Sequence, residues 1–178
     1  MEPHPTKKRE DLKHGLRFLL IPASALFAAF LLNTFVMLSA IVPSESMADT
    51  IEKGTLLIAS RLSYTDSLPG RGDVIIFTHS ELGDKYIIKR VIALPGETVE
   101  IRDGAVYVDD VPLDEDYVSS RAADDMPSVT VRENSLFVLG DNRAESYDSR
   151  YWEDPFVSAD DVYGKALFTV FPKIGRIK

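Results

Sequence analysis

A few stretches of this chain bring together residue types that can cut an amide bond. Ser46, in Pro43-Ser44-Glu45-Ser46-Met47, offers a hydroxyl nucleophile. Lys89 lies beside Arg90 inside an otherwise apolar run, Tyr-Ile-Ile-Lys-Arg-Val-Ile-Ala-Leu over 86–94. Further on stands Gly140-Asp141-Asn142-Arg143, followed by Ser146, Asp148 and Arg150. A serine hydroxyl needs a base to activate it, and an amine can act as that base only when neutral. At the ordinary lysine pKa of about 10.4, only about one Lys in 2,500 is neutral at pH 7. Bringing that pKa to about 8 takes roughly 3 kcal/mol, which burial can supply. Residues two apart on a strand share a face, so Lys89 points with Ile87 and Val91, and Arg90 with Ile88 and Ile92. Such a lysine is either a desolvated base or an edge-strand residue whose ammonium reaches water. Ser46 lacks the flanking glycines of a nucleophile elbow and also reads as an ordinary loop serine. A competing Ser–His–Asp arrangement would have to use His79, whose surroundings, Phe77-Thr78-His79-Ser80-Glu81, read as a solvated turn.

The elements that must position these groups begin with an apolar segment. Phe18 to Val42 is 25 residues without a charge. A bilayer core needs about 20 apolar helical residues. The apolar core of a cleaved signal peptide is only about 7–15 residues. The segment is apolar all round, which argues against a buried helix of a soluble protein. An uncleaved anchor over 18–41 is therefore expected, with Pro22 near its start, where a missing N–H is least costly. Residues 1–17 carry five basic and three acidic groups, so they form a basic tail on the cytoplasmic side. Residues 42–178 form the outer domain, with 15 of the 20 basic and 25 of the 28 acidic residues, net −10.

This division excludes several chemistries. The chain has no Cys, so disulfides, thiolate catalysis and cysteine-ligated metal sites are ruled out. His4 and His14 fall in the tail, leaving His79 alone outside, which forbids a two-histidine zinc site. The formal charge of −8 argues against non-specific nucleic-acid binding.

The outer domain reads as β-structure. Short runs rich in β-branched and aromatic residues occupy 55–59, 74–77, 86–94, 99–102, 105–108, 136–139 and 163–171, separated by turn signals. Asp103-Gly104 marks a two-residue hairpin. An antiparallel sheet, closed on itself or folded as a sandwich, is the expected architecture. The acidic stretch within about 104–134 matches no calcium-loop spacing and reads as a short polar surface excursion.

Taken in order, the anchor, PSESM, RGDVIIF over 71–77, YIIKRVIALPGE over 86–97 and GDNRAESYDSR over 140–150 closely resemble bacterial type I signal peptidases, from Phe18 to about Pro172. The resemblance implies a mostly β domain, a signal-peptidase-like antiparallel β-sheet or pseudo-barrel, preceded by one N-terminal transmembrane helix. It implies a serine endopeptidase that removes signal peptides from exported preproteins at the outer face of the cytoplasmic membrane. On that pattern Ser46 matches the nucleophile and Lys89 the general base. The backbone N–H of Ser46 and the hydroxyl of Ser44 match the oxyanion donors. Ser146 matches a serine that orients the lysine, and the pairs Asp141–Arg90 and Asp148–Arg150 match ion pairs that shape the site. Val42, Met47, Ile51 and Ile87 match the lining of a pocket for the residue before the cut, and Ile88 and Leu57 that of a second pocket two residues earlier. No metal and no cofactor is implied. The partners implied are preproteins and the phospholipid membrane, not nucleic acid. Eukaryotic relatives carry His where this chain has Lys89, which points to the bacterial type.

The chain departs from the pattern at Glu45, where many members have a small residue, and at Asp49, where many have Pro. Any second β-subdomain between Gly104 and Asn134 must be reduced. Two other readings stand beside this one. A repressor-type autoprotease would need a DNA-binding segment where this chain has an anchor, and an inactive anchored domain would bind exported chains without cutting them. A sortase-like reaction is excluded by the missing Cys.

Overall fold

The computed structural model describes residues 6–119 and 122–178. Residues 1–5 of the basic tail, with His4, and positions 120–121 of the polar excursion lie outside the described residues. The chain divides into two units, 1–36 and 37–178.

The first unit is helical. Helix α1 covers Thr6–Leu31 and continues as a π-helical turn over Leu32–Val36. The stretch Arg17–Val36, with mean hydropathy 2.0, is by length and composition able to cross a membrane. Two expectations need correction. The helical part of the apolar run ends at Val36, not at residue 41, because Met37–Ile41 forms a strand (β1) that pairs with Leu56–Ser60 (β2). No charge or turn residue marks that boundary; the pairing partner sets it. Pro22 also lies in the interior of α1, since the helix starts at Thr6. There it removes one backbone hydrogen bond, while the nearby Ser24 hydroxyl donates to the Ile21 carbonyl at 2.9 Å.

The second unit is antiparallel β-structure, as expected. Its large sheet adds β3 (Val74–His79), β4 (Gly83–Ala93), β9 (Ser135–Leu139), β10 (Val157–Ser158), β11 (Val162–Phe171) and β12 (Gly175–Arg176). The hydrogen-bonded path runs β1-β2-β11-β3-β4-β9-β10, with β12 paired to β11. A second sheet of four strands comprises β5 (Thr98–Arg102), β6 (Ala105–Val108), β7 (Val111–Pro112) and β8 (Met126–Thr130). The β5–β6 hairpin turns on Asp103 and Gly104, both at positive φ (50° and 71°), the geometry its sequence calls for.

The stretch 104–134 is thus not a solvated excursion. It supplies three strands of the second sheet, and Val106, Val108 and Val131 are buried in a core with Ile92, Val99, Ile101, Phe137 and Leu139. Acidic residues fill its turns, which hid the apolar positions between them. His79 is corrected likewise. It is buried and stacks on Trp152 with ring centroids 4.2 Å apart, so it is no solvated turn residue. Apolar contact with an aromatic 73 positions away removes it from water.

Candidate active site

Strand alternation and register build this site. Strand alternation sends Lys89 and Arg90 to opposite faces of β4, and both are buried, as are all residues from Ile88 to Ala93. Strand β9 pairs with β4 so that Leu139 faces Arg90. The chain leaving β9 therefore delivers Gly140 and Asp141 directly beside Lys89 and Arg90. Arg90 Nε and Nη2 donate to the two Asp141 oxygens at 2.8 and 2.7 Å, a bidentate pair in which both partners are buried. Its Nη1 donates to the carbonyls of Gly72 and Lys178 at 2.7 and 2.8 Å, and its guanidinium lies 4.0 Å from the Tyr117 ring.

The Ser46 loop is tied to the same frame. Met47 and Ile51 are buried in the core, and the Met47 carbonyl accepts from the N–H groups of Thr50 and Ile51. Thr50 Oγ1 donates to Asp141 Oδ2 at 2.5 Å. The Asn142 backbone N–H donates to the Ser46 carbonyl at 3.2 Å, and its side-chain amide to the Glu45 carbonyl at 3.1 Å. The two departures from the family pattern are accommodated here. Glu45 contributes a backbone acceptor, and Asp49 accepts from the Ser119 N–H at 2.9 Å, pinning the segment after β7. Ser46 is buried, and its hydroxyl lies 3.2 Å from that of Ser44. Among the described residues no acceptor pairs with the Ser46 backbone N–H.

Lys89 is 3% exposed. Its Nζ donates to Ser146 Oγ at 2.9 Å, and Ser146 Oγ donates to Asp148 Oδ2 at 2.5 Å. The single hydroxyl proton of Ser146 is committed to Asp148, so toward Lys89 it can only accept. Asp148 is held in turn by the Gly140 N–H at 3.0 Å and by Arg150 Nε at 2.8 Å. Burial lowers the Lys89 pKa to about 8; the Asp148 carboxylate opposes this, Arg150 adds to it, and Asp141 opposes it. Ser46 and Lys89 line one cavity of about 360 Å³ with Val42, Pro43, Ser44, Met47, Leu82, Lys85, Tyr86, Ile87, Ile88, Glu145 and Tyr147. No direct hydrogen bond joins the two; the Ser46 hydroxyl is paired with Ser44.

Most residues singled out in the sequence converge here. Val42, Met47, Ile87 and Ile88 face the cavity, whereas Ile51 and Leu57 do not line it. Those two are 1% and 0% exposed and support its floor from within the core.

Other contributors escaped the sequence reading. A Cβ on Gly140 would lie 2.2 Å from the Ser146 hydroxyl and 2.4 Å from the Ser46 carbonyl, so this position admits only hydrogen. Glu115 and Arg143 form a buried ion pair, and Arg143 Nε also donates to the Gly140 carbonyl at 3.0 Å. Arg143 lay in a block already notable for its charges, but Glu115 had no signal apart from its acidic neighbours. Glu115→Gln strands a buried guanidinium, and breaking such pairs costs about 3–5 kcal/mol. Chemical denaturation in detergent is expected to show a loss of that order, accompanied by reduced activity.

The class that the fold and site define is a mostly β domain, preceded in sequence by an apolar helix, in which a buried serine and a buried lysine line one cavity. The chain belongs to the signal peptidase family, peptidase S26, whose pattern matches residues 15–171. It is 40% identical to “Probable signal peptidase I-1” of Synechocystis sp. over 90% of this chain and 83% of that protein. It is 35% identical to the signal peptidase I of Bacillus caldolyticus over 94% and 95% of the two chains. A crystal structure of a signal peptidase I from Enterococcus faecalis is 40% identical, with a TM-score of 0.47, over 55% of this chain and 95% of that one.

Proposed function

We propose that Ser46 is the nucleophile and Lys89 the general base of the signal-peptide cleavage that this chain performs as a serine protease. The observation that carries the assignment is a buried amine, fixed by Ser146 and sharing one cavity with a buried serine hydroxyl. A neutral Lys89 takes the Ser46 proton as Oγ attacks the scissile carbonyl. The oxyanion is met by the Ser46 N–H and the Ser44 hydroxyl. The intermediate collapses to an acyl-enzyme as protonated Lys89 returns its proton to the departing amine, the new N-terminus of the mature protein. Water then attacks the acyl group as Lys89 takes its proton, and Lys89 passes that proton to the departing Oγ, releasing the signal peptide and regenerating the Ser46 hydroxyl. Ser146, oriented by Asp148, holds one Lys89 N–H and so fixes where the amine lone pair points.

Substrate enters along β4. Strand β9 pairs only with its end from Arg90 onward, while β3 pairs with Gly83 and with Ile87, Ile88 and Lys89 across a register shift, so among the described residues 83–89 have no ladder partner on the β9 side. That free edge suits an extended peptide. The apolar walls from Val42, Met47, Ile87 and Ile88 favour small side chains before the cut, because larger ones clash. The apolar helix anchors the protein. The basic residues before it place the N-terminus in the cytoplasm and the β-domain on the outer face of a bacterial cytoplasmic membrane.

The test is cleavage of a preprotein bearing an Ala-X-Ala site by detergent-solubilised protein, beside Ser46→Ala and Lys89→Ala. Cleavage after the second Ala, lost in both variants, supports the assignment; activity in either variant overturns it. The pH profile is a separate check. With a Lys89 pKa of about 8, about a tenth of the amine is neutral at pH 7. Because the neutral form is the active one, kcat/KM is expected to rise about tenfold between pH 7 and 10, half-maximal near pH 8. A flat profile from pH 6 to 10 contradicts the base role.

A further inference from the structure

Two side chains on the cavity rim take no part in the mechanism above. Apart from Lys89, the charged groups lining the cavity are Lys85 and Glu145. Both are exposed, and among the described residues neither forms an ion pair. Their backbones lie close to the site in sequence. Glu145 closes a 3-10 turn over Arg143–Glu145, its N–H donating to the Asn142 carbonyl at 3.2 Å, and Asn142 also holds the Ser46 loop. The next residue, Ser146, is bonded to Lys89. The Glu145 backbone is therefore held one residue from Ser146, the partner of Lys89. Lys85 lies four residues before Lys89 on the free part of β4, up to about 13 Å along an extended chain. An extended peptide at this edge spans the same distance in about four residues.

We infer that Glu145 and Lys85 select preproteins by charge: Glu145 favours a basic side chain beside the scissile bond, and Lys85 an acidic one about four residues away. The inference rests on the protease reading above. Besides Lys89, these two are the charges on the cavity lining that a bound peptide meets, and opposite signs at separate places set a direction as well as a preference. Both groups are solvated, so the expected discrimination is about two- to fivefold at each position and is screened by salt.

The experiment uses the full-length protein in detergent and a set of preprotein-derived peptides. Each carries Lys, Gln or Asp at one of the five positions on either side of an Ala-X-Ala cut. The readout is the ratio of kcat/KM for Lys to that for Asp within one enzyme, which cancels any general loss of activity in a variant. In the wild type the ratio is expected to exceed one at a position beside the cut and to fall below one about four residues further away. Glu145→Lys should invert the first ratio and leave the second, Lys85→Glu should invert the second and leave the first, and 0.5 M salt should flatten both. Ratios that are the same in wild type and both variants, or that persist in high salt, overturn the charge selection. If the Gln peptides are cleaved and the Lys-to-Asp ratio is one at every position, the charge selection alone falls. If the wild type cleaves none of the peptides, the protease reading fails and the charge selection falls with it.

Discussion

Lys89→Met is expected to abolish cleavage while making the protein more stable at neutral pH. On the mechanism proposed above, Lys89 is the group that takes the Ser46 proton, and losing a member of a catalytic unit of this kind costs about 10⁴-fold or more. The stability gain follows from linkage. Folded Lys89 titrates near pH 8 against an ordinary value of 10.5. Between those values the unfolded chain binds more protons, so wild-type stability rises with pH across that window. Below pH 8 the penalty is fully present; it amounts to about 3 kcal/mol at 1.36 kcal/mol per unit. Methionine is an unbranched side chain one atom shorter than lysine and carries no charge to desolvate. Ser146 still donates to Asp148 and loses only the proton it accepted. Denaturation of wild type and variant from pH 7 to 10.5 should therefore show a gap that is widest at pH 7 and shrinks as pH rises. A variant that is inactive and equally destabilised at all pH values would mean that Lys89 is a structural residue.

Gly140→Ala is expected to cost cleavage at least about 10²-fold without touching a reacting group. The added methyl would sit 2.4 Å from the Ser46 carbonyl and 2.6 Å from Ser146 Cβ, and neither backbone nor a short side chain can retreat cheaply. The Ser46 loop and the Ser146 turn must move apart, separating nucleophile from oriented base. Displacements of about 1 Å in such a site cost about 10²-fold. Overpacking also destabilises the fold, by about 1–3 kcal/mol. A KM near the wild-type value with a collapsed kcat is the signature of misplacement rather than lost binding. Wild-type kcat would show that the loop absorbs the methyl.

How much of this could be read beforehand depends on how far away each residue's determinant lies. The strands over 74–77, 86–94 and 163–171 announce themselves by local composition and turns; the first and last lie within observed strands, and the second overruns β4 by the one residue Leu94. Lys89 and Arg90 separate by parity alone, and the structure gives each a different partner, Ser146 and Asp141. The end of the helix at Val36 could not be read, because Met-Leu-Ser-Ala-Ile is as apolar as the helix before it and becomes a strand only by pairing with β2. Gly140 looks like any turn glycine until a carbonyl 94 positions earlier is placed against it. Glu115 looks solvated until Arg143 arrives to pair with it. Ile51 and Leu57 have the composition of a pocket wall, but the core took them.

The central claim is that Ser46 reacts and that the proton state of Lys89 decides when. It is tested most directly by treating the protein with an acylating serine-directed inhibitor from pH 6 to 10, then mapping the modified peptide by mass spectrometry. The account predicts one acyl group on Ser46, forming at a rate half-maximal near pH 8, and none in Lys89→Met at any of these pH values. Labelling of Ser44, Ser146 or another serine instead, or a rate on Ser46 that does not change with pH, would contradict it.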